Sequence, residues 1–312
     1  MQDTHDAASP LKIFLTGAGG YIGLHILQEL LTARHQVTAL VRSRAKLGPF
    51  ATHLGLKIIE MDLENTDLIA QAIAGHDVCI HTALVWGEPG SELDMRDTAI
   101  AARLFEAAGY AGLKRCIYLS SVAVHRPFIG EMSEHDCLRT TDFYGATKAA
   151  GELFLHASCA RHLMTGITVR PGPVVGPPAF PGGAFGSHNL LPQMVNAAAA
   201  NQPIEVPPGD DRQFIDVTMV AQLVRILTIA ENPDPTYICV DRDIITWEQV
   251  ARMVVTCLHA SSDIRVSPRD LQNSPAYFRT DRVERLMGQK TNAETALRAH
   301  IHHLAQLYGL IP

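Results

Sequence analysis

Residues 11–23 read Leu-Lys-Ile-Phe-Leu-Thr-Gly-Ala-Gly-Gly-Tyr-Ile-Gly. The first six are almost continuously apolar, the pattern of a strand covered on both faces, as in a parallel sheet. Glycines follow at 17, 20 and 23, and Ile22, Ile26, Leu27, Leu30 and Leu31 then recur at helical spacing, which predicts a helix from Tyr21 to about Ala33. A strand that runs through a glycine turn into a helix is the opening unit of a βαβ fold.

The chain beyond repeats that alternation. Strands are predicted at Val37–Val41, Lys57–Met61, Val78–Thr82, Arg115–Leu119 and Ile167–Val169, with helical patterns that include Glu92–Ala111 and Tyr144–Arg161. Right-handed crossovers then give an α/β protein with one doubly wound parallel sheet and helices on both faces. After Arg170 the texture changes, because Pro171, Pro173, Pro177, Pro178 and Pro181 interleave with Gly172, Gly176, Gly182 and Gly183. Helical patterns resume near 189–200, 217–230, 247–259 and 293–308, with a strand-like piece at Thr236–Val240. The expected division is a cofactor domain over 1–178, with returning segments near 212–240, and a smaller discontinuous substrate-binding region over 179–211 and 241–312.

Composition excludes several classes. Of 312 residues 47% are hydrophobic and 19% charged, a globular balance, and 26 Lys+Arg against 32 Asp+Glu give a net charge of −6 without a run of like charge. No nucleic-acid partner is expected. No window holds 18 apolar residues and the N-terminus carries no secretory pattern, so no membrane partner is expected and the protein reads as cytoplasmic. Six cysteines include no C-x-x-C pair and read as reduced thiols. His300, His302 and His303 lack metal-ligand spacing and read as a solvated helix face, so no metal is expected.

The glycine turn points to a ligand. Gly17 permits the tight turn, Gly20 lets the backbone approach a pyrophosphate, and Gly23 lets the helix pack closely on the sheet, with helix N–H groups facing the anion. At the first βα junction this favours a dinucleotide over a bare structural turn. The second strand ends Ala39-Leu40-Val41-Arg42-Ser43-Arg44 without the acid that would bind a ribose 2′-hydroxyl, and Arg42, with Arg44 as a second candidate, suits a 2′-phosphate. NADP(H) is therefore expected, with NAD(H) second; read blandly, both arginines merely begin a solvated helix. Asp62, after the third strand, is placed to meet the adenine edge or to cap a helix.

Tyr144 and Lys148 stand four residues apart at the head of a long helix, on one face. A phenol with a pKa near 10 is a poor base at pH 7, and a neighbouring ammonium favours the phenolate. Ser121, at the end of the fifth strand, is placed to donate to a substrate oxygen, or else to cap a turn. Loops around Trp86, 125–128, 180–188 and 275–278 are expected to line the substrate side, an apolar and aromatic set.

Taken in order, TGAGGYIG at 16–23, MDL at 61–63, HTA at 81–83, LSSVAV at 119–124, YGATK at 144–148 with Glu152, RPGPVVGP at 170–177 and RQFIDV at 212–217 resemble the extended short-chain dehydrogenases/reductases, the NAD-dependent epimerase/dehydratase family, over nearly the whole length. The resemblance implies a Rossmann-type sheet and a catalytic triad of Ser121, Tyr144 and Lys148. It further implies that Lys148 holds the nicotinamide ribose, that Pro171 and Val174 line the nicotinamide side, and that Tyr21, Ile22, Leu63, Thr82 and Ala83 sit in cofactor-binding motifs. Members pair as homodimers through two long helices, here around Glu92–Ala111 and Tyr144–Arg161.

Departures from the family pattern sort its reactions. Val122-Ala123 stand where sugar dehydratases of the family carry an Asp-Glu pair, and Pro173 stands where sugar-nucleotide epimerases carry an Asn. Reversible hydride transfer between NADP(H) and a carbonyl or secondary alcohol of a small hydrophobic substrate is the first reading. Arg212, at the position of a diphosphate clamp, and Asn189, before Leu-Leu-Pro, keep a nucleotide-sugar epimerase or 4-ketoreductase as the alternative. A non-catalytic NADP-binding sensor is a lesser one.

Overall fold

A computed structural model describes residues 9–85, 96–206, 212–267, 276–289 and 292–311. In chain order it contains β1 (Lys12–Thr16), α1 (Tyr21–Thr32), β2 (Gln36–Val41), β3 (Leu56–Glu60), α2 (Thr66–Ile73), β4 (Val78–His81), α3 (Arg96–Tyr110) and β5 (Arg115–Leu119). Next come β6 (Glu131–Met132), α4 (Phe143–His162), β7 (Thr165–Pro171), β8 (Val174–Val175), α5 (Leu190–Ala199), β9 (Ile204–Val206), β10 (Ile215–Asp216) and α6 (Val217–Ile229). The chain ends with β11 (Thr236–Cys239), α7 (Trp247–Leu258), β12 (Ile264–Val266), β13 (Tyr277–Phe278), α8 (Asp281–Met287) and α9 (Glu294–Leu307).

Seven strands form one parallel sheet in the order β11-β7-β5-β4-β1-β2-β3. In β1, Ile13, Phe14, Leu15 and Thr16 are all buried, which is why the strand reads as a continuous apolar run. Strand order reverses between β1 and β4, which pair in parallel with Thr16 opposite His81. The carboxyl ends of two such strands open the crevice where α/β sheets bind ligands.

The chain divides into two compact units. The first comprises residues 1–119, 147–168 and 221–235. Its core gathers Phe14, Leu40, Ile69, Phe105, Cys116, Tyr118 and Leu155. Gly151 has no room for a side chain there, since an added Cβ would lie 2.5 Å from the Tyr118 hydroxyl. Cys79, Cys116 and Cys159 are buried in this unit, and burial, the largest cause, raises the thiol pKa of Cys159 to about 11. Cys239 in the other unit is likewise buried and raised to about 12, whereas Cys137 is exposed.

The second unit comprises residues 120–146, 169–220 and 236–312. Its core sets Trp247, Val250 and Val254 of α7 with Leu191 and Val195 of α5 and Leu297 and Ile301 of α9. α7 begins at a reciprocal cap: the Thr246 hydroxyl accepts from the Gln249 N–H at 3.1 Å and the Gln249 carbonyl oxygen accepts from the Thr246 N–H at 2.8 Å. His300 departs from the expected solvated face. Its ring is buried, with Nδ1 against the Gly176 backbone at 3.1 Å and Nε2 3.0 Å from the Ser187 hydroxyl. No metal-ligating cluster occurs among the described residues, and no described helix is long and apolar enough to cross a membrane.

Candidate active site

In the first unit a cavity of about 570 Å³ opens at the β1–α1 turn. Gly17, Gly20, Arg42, Asp62, Leu63, Thr82 and Ala83, all singled out in the sequence, line it together. Gly17 has φ +75°, and a Cβ there would lie 2.5 Å from the Ala83 nitrogen. A Cβ on Gly23 would overlap the Gly17 carbonyl oxygen and come within 2.8 Å of its carbon. Both positions admit only glycine, so the turn and the first turn of α1 lie against each other with nothing between. Gly20 occupies the N-cap of α1 with no side-chain cap, and the first turn holds no acid, which leaves N–H groups for an anion. Tyr21 and Ile22 begin that helix, Tyr21 edge-on to His25 at 5.8 Å. The Thr82 hydroxyl donates to the Thr16 carbonyl at 2.8 Å and ties β4 to the turn.

Arg42 and Arg44 part company. Arg42 lines the cavity, whereas Arg44 donates to the Ala51 carbonyl at 2.8 Å and steadies short 3-10 turns over Arg44–Thr52. Those turns bring a cation that sequence reasoning missed: Lys46 lines the cavity and stands against Gly19, where an added Cβ would lie 2.9 Å from its own Cβ. Asp62 accepts from the Glu64 N–H at 2.9 Å, a local turn rather than the cap of α2, whose N-cap residue is Asn65. Arg96, paired with Glu64 at 3.2 Å, completes the rim. Trp86 lies outside the described residues.

Lys148 also belongs to the first unit and is buried. Its ammonium donates to the Leu119 carbonyl at 3.3 Å and stands 5.0 Å from the centre of the Tyr118 ring. Burial, the largest influence, lowers its pKa, while Asp97 and Glu152 oppose the shift. The other face of this neighbourhood is His81, stacked on Tyr118 at 5.6 Å and hydrogen-bonded to Thr16 Oγ1 at 2.7 Å. Burial, then Lys148, pushes the His81 pKa down to about 3, so the ring is neutral.

In the second unit a separate cavity of about 230 Å³ holds Ser121 and Tyr144 together. The Ser121 oxygen accepts from the Ala123 N–H at 3.2 Å and so caps a 3-10 turn, which leaves its own proton for donation. Tyr144 stands in the first turn of α4, where the Asp142 carboxylate accepts from the Gly145 N–H at 2.9 Å. An added Cβ on Gly145 would overlap Thr140 Oγ1 and lie 2.6 Å from the Ala123 carbonyl oxygen, so this glycine sets how closely the helix head approaches the Ser121 turn.

Gly172 and Pro173 line the same cavity, but neither Pro171, which ends β7, nor Val174, which opens β8, is among its lining. Arg212 lines it; Asn189 is exposed at the start of α5, makes no side-chain cap bond and does not. Residues the sequence had placed only within loops complete the wall: Arg126, Phe128, His188, Ala276 and Phe278, with Gln213. Gln213 is buried and pins Phe278 from both ends of its amide, accepting from the Phe278 N–H at 2.5 Å and donating to its carbonyl at 3.0 Å. His125 sits behind Phe278, and Arg170 donates to its Nε2 at 3.0 Å. Because guanidinium only donates, the imidazole is neutral with its proton on Nδ1, and burial, then Arg170, lowers its pKa to about 4.

Comparison with known proteins places this geometry in a family. The chain is 28% identical over 237 residues to an uncharacterized UDP-glucose epimerase of Bacillus subtilis, YtcB, covering 70% of this chain and 72% of that one. It is 28% identical over 274 residues to a 2-alkyl-3-oxoalkanoate reductase of Shewanella oneidensis, covering 80% and 67%. A UDP-glucuronic acid 4-epimerase from Bacillus cereus, solved with UDP-glucuronic acid and NAD, shares the fold with a TM-score of 0.78 at 20% identity, over 96% of this chain and 100% of that one. Residues 13–238 match the model of the NAD dependent epimerase/dehydratase family, and the chain belongs to that family of oxidoreductase-type enzymes.

Proposed function

We propose that the protein catalyses reversible hydride transfer between NADP(H) and the carbonyl or secondary alcohol of a small, partly hydrophobic substrate, with Tyr144 as acid and base. The observation that carries this reading is the enclosure of Ser121 and Tyr144 in one cavity of about 230 Å³. Pro173 in its wall offers no side-chain hydrogen bond at the place where sugar-nucleotide epimerases carry an Asn, which favours a small carbonyl compound over a nucleotide sugar.

The glycine-only turn at Gly17 and Gly23, the uncapped start of α1 and the cavity beside them fit a dinucleotide pyrophosphate. Arg42 and Lys46 would hold a 2′-phosphate, and Asp62 the adenine side. When bound, the nicotinamide supplies or accepts the hydride. In the reducing direction the Tyr144 hydroxyl gives its proton to the substrate oxygen while Ser121 donates a hydrogen bond to the developing charge. In the oxidising direction the Tyr144 phenolate takes the proton back. Lys148, one helical turn on, supplies the positive field and a hold on the nicotinamide ribose, with Pro171 and Val174 on the nicotinamide side.

The alternative, epimerisation or 4-keto reduction of a nucleotide sugar, is favoured by Arg212 in the cavity wall. The expected substrate region, 179–211 and 241–312, contributes His188, Ala276 and Phe278 to this cavity, and the rest of its wall comes from elsewhere in the chain. A homodimer through α3 and α4 is supported by Tyr110, Leu153 and Phe154, which these helices leave 70%, 64% and 45% exposed. The test is two incubations of the purified protein: NADPH with a panel of aldehydes and ketones, and UDP- and dTDP-sugars without reductant. NADPH oxidation in the first supports the proposal; epimer formation in the second with none in the first overturns it.

A further inference from the structure

The proline cluster after Arg170 and the histidines of α9 take no part in the hydride-transfer chemistry, yet the two meet in the second unit. Between the end of β8 at Val175 and the start of α5 at Leu190 the chain forms neither helix nor strand. Pro177, Pro178 and Pro181 lack a backbone N–H, and a turn in which the Gly183 N–H donates to the Phe180 carbonyl at 2.9 Å folds the middle of the segment. A segment without a ladder or a helix needs other groups to hold its ends.

His300 does this from α9. Its ring is fully buried, and its two nitrogens reach opposite ends of the segment. The Gly176 N–H donates to Nδ1 at 3.2 Å and the Gly176 carbonyl oxygen lies 3.1 Å from the same atom, so either neutral tautomer has a bond to make there. Nε2 meets the Ser187 hydroxyl at 3.0 Å, and a hydroxyl can give or take the proton. Between these points Phe185 sets its ring 4.5 Å from that of His300 and 4.7 Å from that of His303. Residues 177–186 are thus a strap whose two ends are fastened by one imidazole.

The residues just outside the fastened ends are walls of the cavity that encloses Ser121 and Tyr144: Gly172 and Pro173 precede Gly176, and His188 follows Ser187. His188 is steadied in turn, its ring 5.1 Å from that of Trp247 and its Nδ1 accepting from the Leu190 N–H at 3.3 Å.

We propose that His300 is a positioning residue of the substrate cavity: by tying Gly176 to Ser187 it holds His188 and the Gly172–Pro173 step where the substrate meets them. His300 is not in the cavity lining, so it governs how well the substrate is held rather than how fast hydride and proton move. The assignment rests on the reading of this cavity as the substrate site, and not on which class of substrate enters it.

Ser187→Ala removes one fastening without altering α9, and His300→Phe keeps a ring and removes both. With a compound that the parent enzyme turns over, KM is expected to rise about three- to tenfold in Ser187→Ala and about 10- to 100-fold in His300→Phe, while kcat stays within about threefold and the NADP(H) Kd within about twofold. Ser187→Thr keeps the hydroxyl and should hold KM within about twofold of the parent value. Two readouts need no turnover. Hydrogen exchange of the amides of 176–188, that of Gly176 above all, should quicken about threefold or more in both variants, and diethyl pyrocarbonate should modify His188 faster while the exposed His259 reacts at the parent rate. Parent rates of exchange and of His188 modification in both variants would overturn the fastening. Faster exchange with KM unchanged would overturn its link to the cavity, as would kcat and cofactor affinity that fail together with KM. A parent enzyme that converts UDP-sugars and reduces no carbonyl compound would discard the reduction reading, and the KM comparison is then made with the sugar.

Discussion

Gly145→Ala should damage chemistry while sparing the fold and the cofactor. The added methyl would lie 2.6 Å from the Ala123 carbonyl oxygen and overlap Thr140 Oγ1. The Thr140 hydroxyl can rotate away, but Thr140 Cβ would still lie 2.9 Å from the added methyl, and the carbonyl belongs to the backbone of the turn that Ser121 caps. Opening that contact to an ordinary 3.4 Å moves the head of α4, and Tyr144 with it, by about 0.8 Å from the Ser121 turn. Misplacement by about 1 Å lowers rates by as much as 100-fold, so kcat should fall roughly 30- to 100-fold. Overpacking costs about 1–3 kcal/mol, and replacing a helical glycine by alanine returns about 1 kcal/mol, so the net loss of stability is about 0–2 kcal/mol. The dinucleotide cavity contains neither residue 145 nor 123, and the NADP(H) Kd should stay within about twofold. The assays are steady-state NADPH oxidation with a substrate from the carbonyl panel, cofactor binding by fluorescence, and thermal unfolding. Adding Thr140→Ala should recover only part of the rate, since the Ala123 contact persists. A kcat within threefold of the parent enzyme, or a cofactor Kd that rises in step with the fall in kcat, would refute the assigned role of Gly145.

Tyr144→Phe should abolish turnover and leave NADP(H) affinity unchanged by titration; retained turnover would remove Tyr144 from the mechanism. Arg42→Asp and Lys46→Ala should each move the NADPH/NADH ratio of kcat/KM about tenfold toward NADH, and an unchanged ratio in both would count against a 2′-phosphate site. His81 and His300 are held neutral, with pKa values of about 3 and about 4 against about 6.5 unfolded. The unfolded chain therefore binds protons that the folded one refuses, and stability drains away as pH falls below about 6.5, by about 2 kcal/mol at pH 5 for a group at about 4. His300→Asn should accordingly flatten the fall in urea midpoint between pH 7 and pH 5, and a slope equal to that of the parent protein would exclude this account.

What the sequence carries in legible form is what local sterics dictate. Gly17 is required by its own φ of +75° and Gly23 by its contact with Gly17 and Ala18 just before it, and β1 is recognisable because burial on both faces demands an unbroken apolar run. Tyr144 and Lys148 are one helical turn apart, a spacing the helix alone guarantees. The remainder depends on approaches that no local pattern encodes. Lys46 reaches the glycine turn through irregular 3-10 turns with no periodicity. α2 has only eight residues, and β6, β8, β10 and β13 have two each, too short for any period to register. Arg126 and Arg212 stand 86 positions apart in the sequence, yet both line one cavity and lie 5.8 Å and 5.7 Å from the centre of the Phe128 ring. Asn189 stands out as a motif match, yet its side chain is exposed and away from the cavity lining.

The distribution of thiols gives the molecule a built-in clock. Cys79 and Cys116 face each other in register on β4 and β5, at the middle of the sheet, and with Cys159 and Cys239 they are shielded from reagents; burial raises the pKa of Cys116, Cys159 and Cys239 and lowers the nucleophilicity of those three thiols. Cys137 is exposed and reacts first. Once it has been blocked, the rate at which the buried sulfurs become alkylated measures how often the strands around them open. Labels at Cys79 and Cys116 report on the first unit and a label at Cys239 on the second, so mass spectrometry of one timed reaction times the breathing of each unit separately.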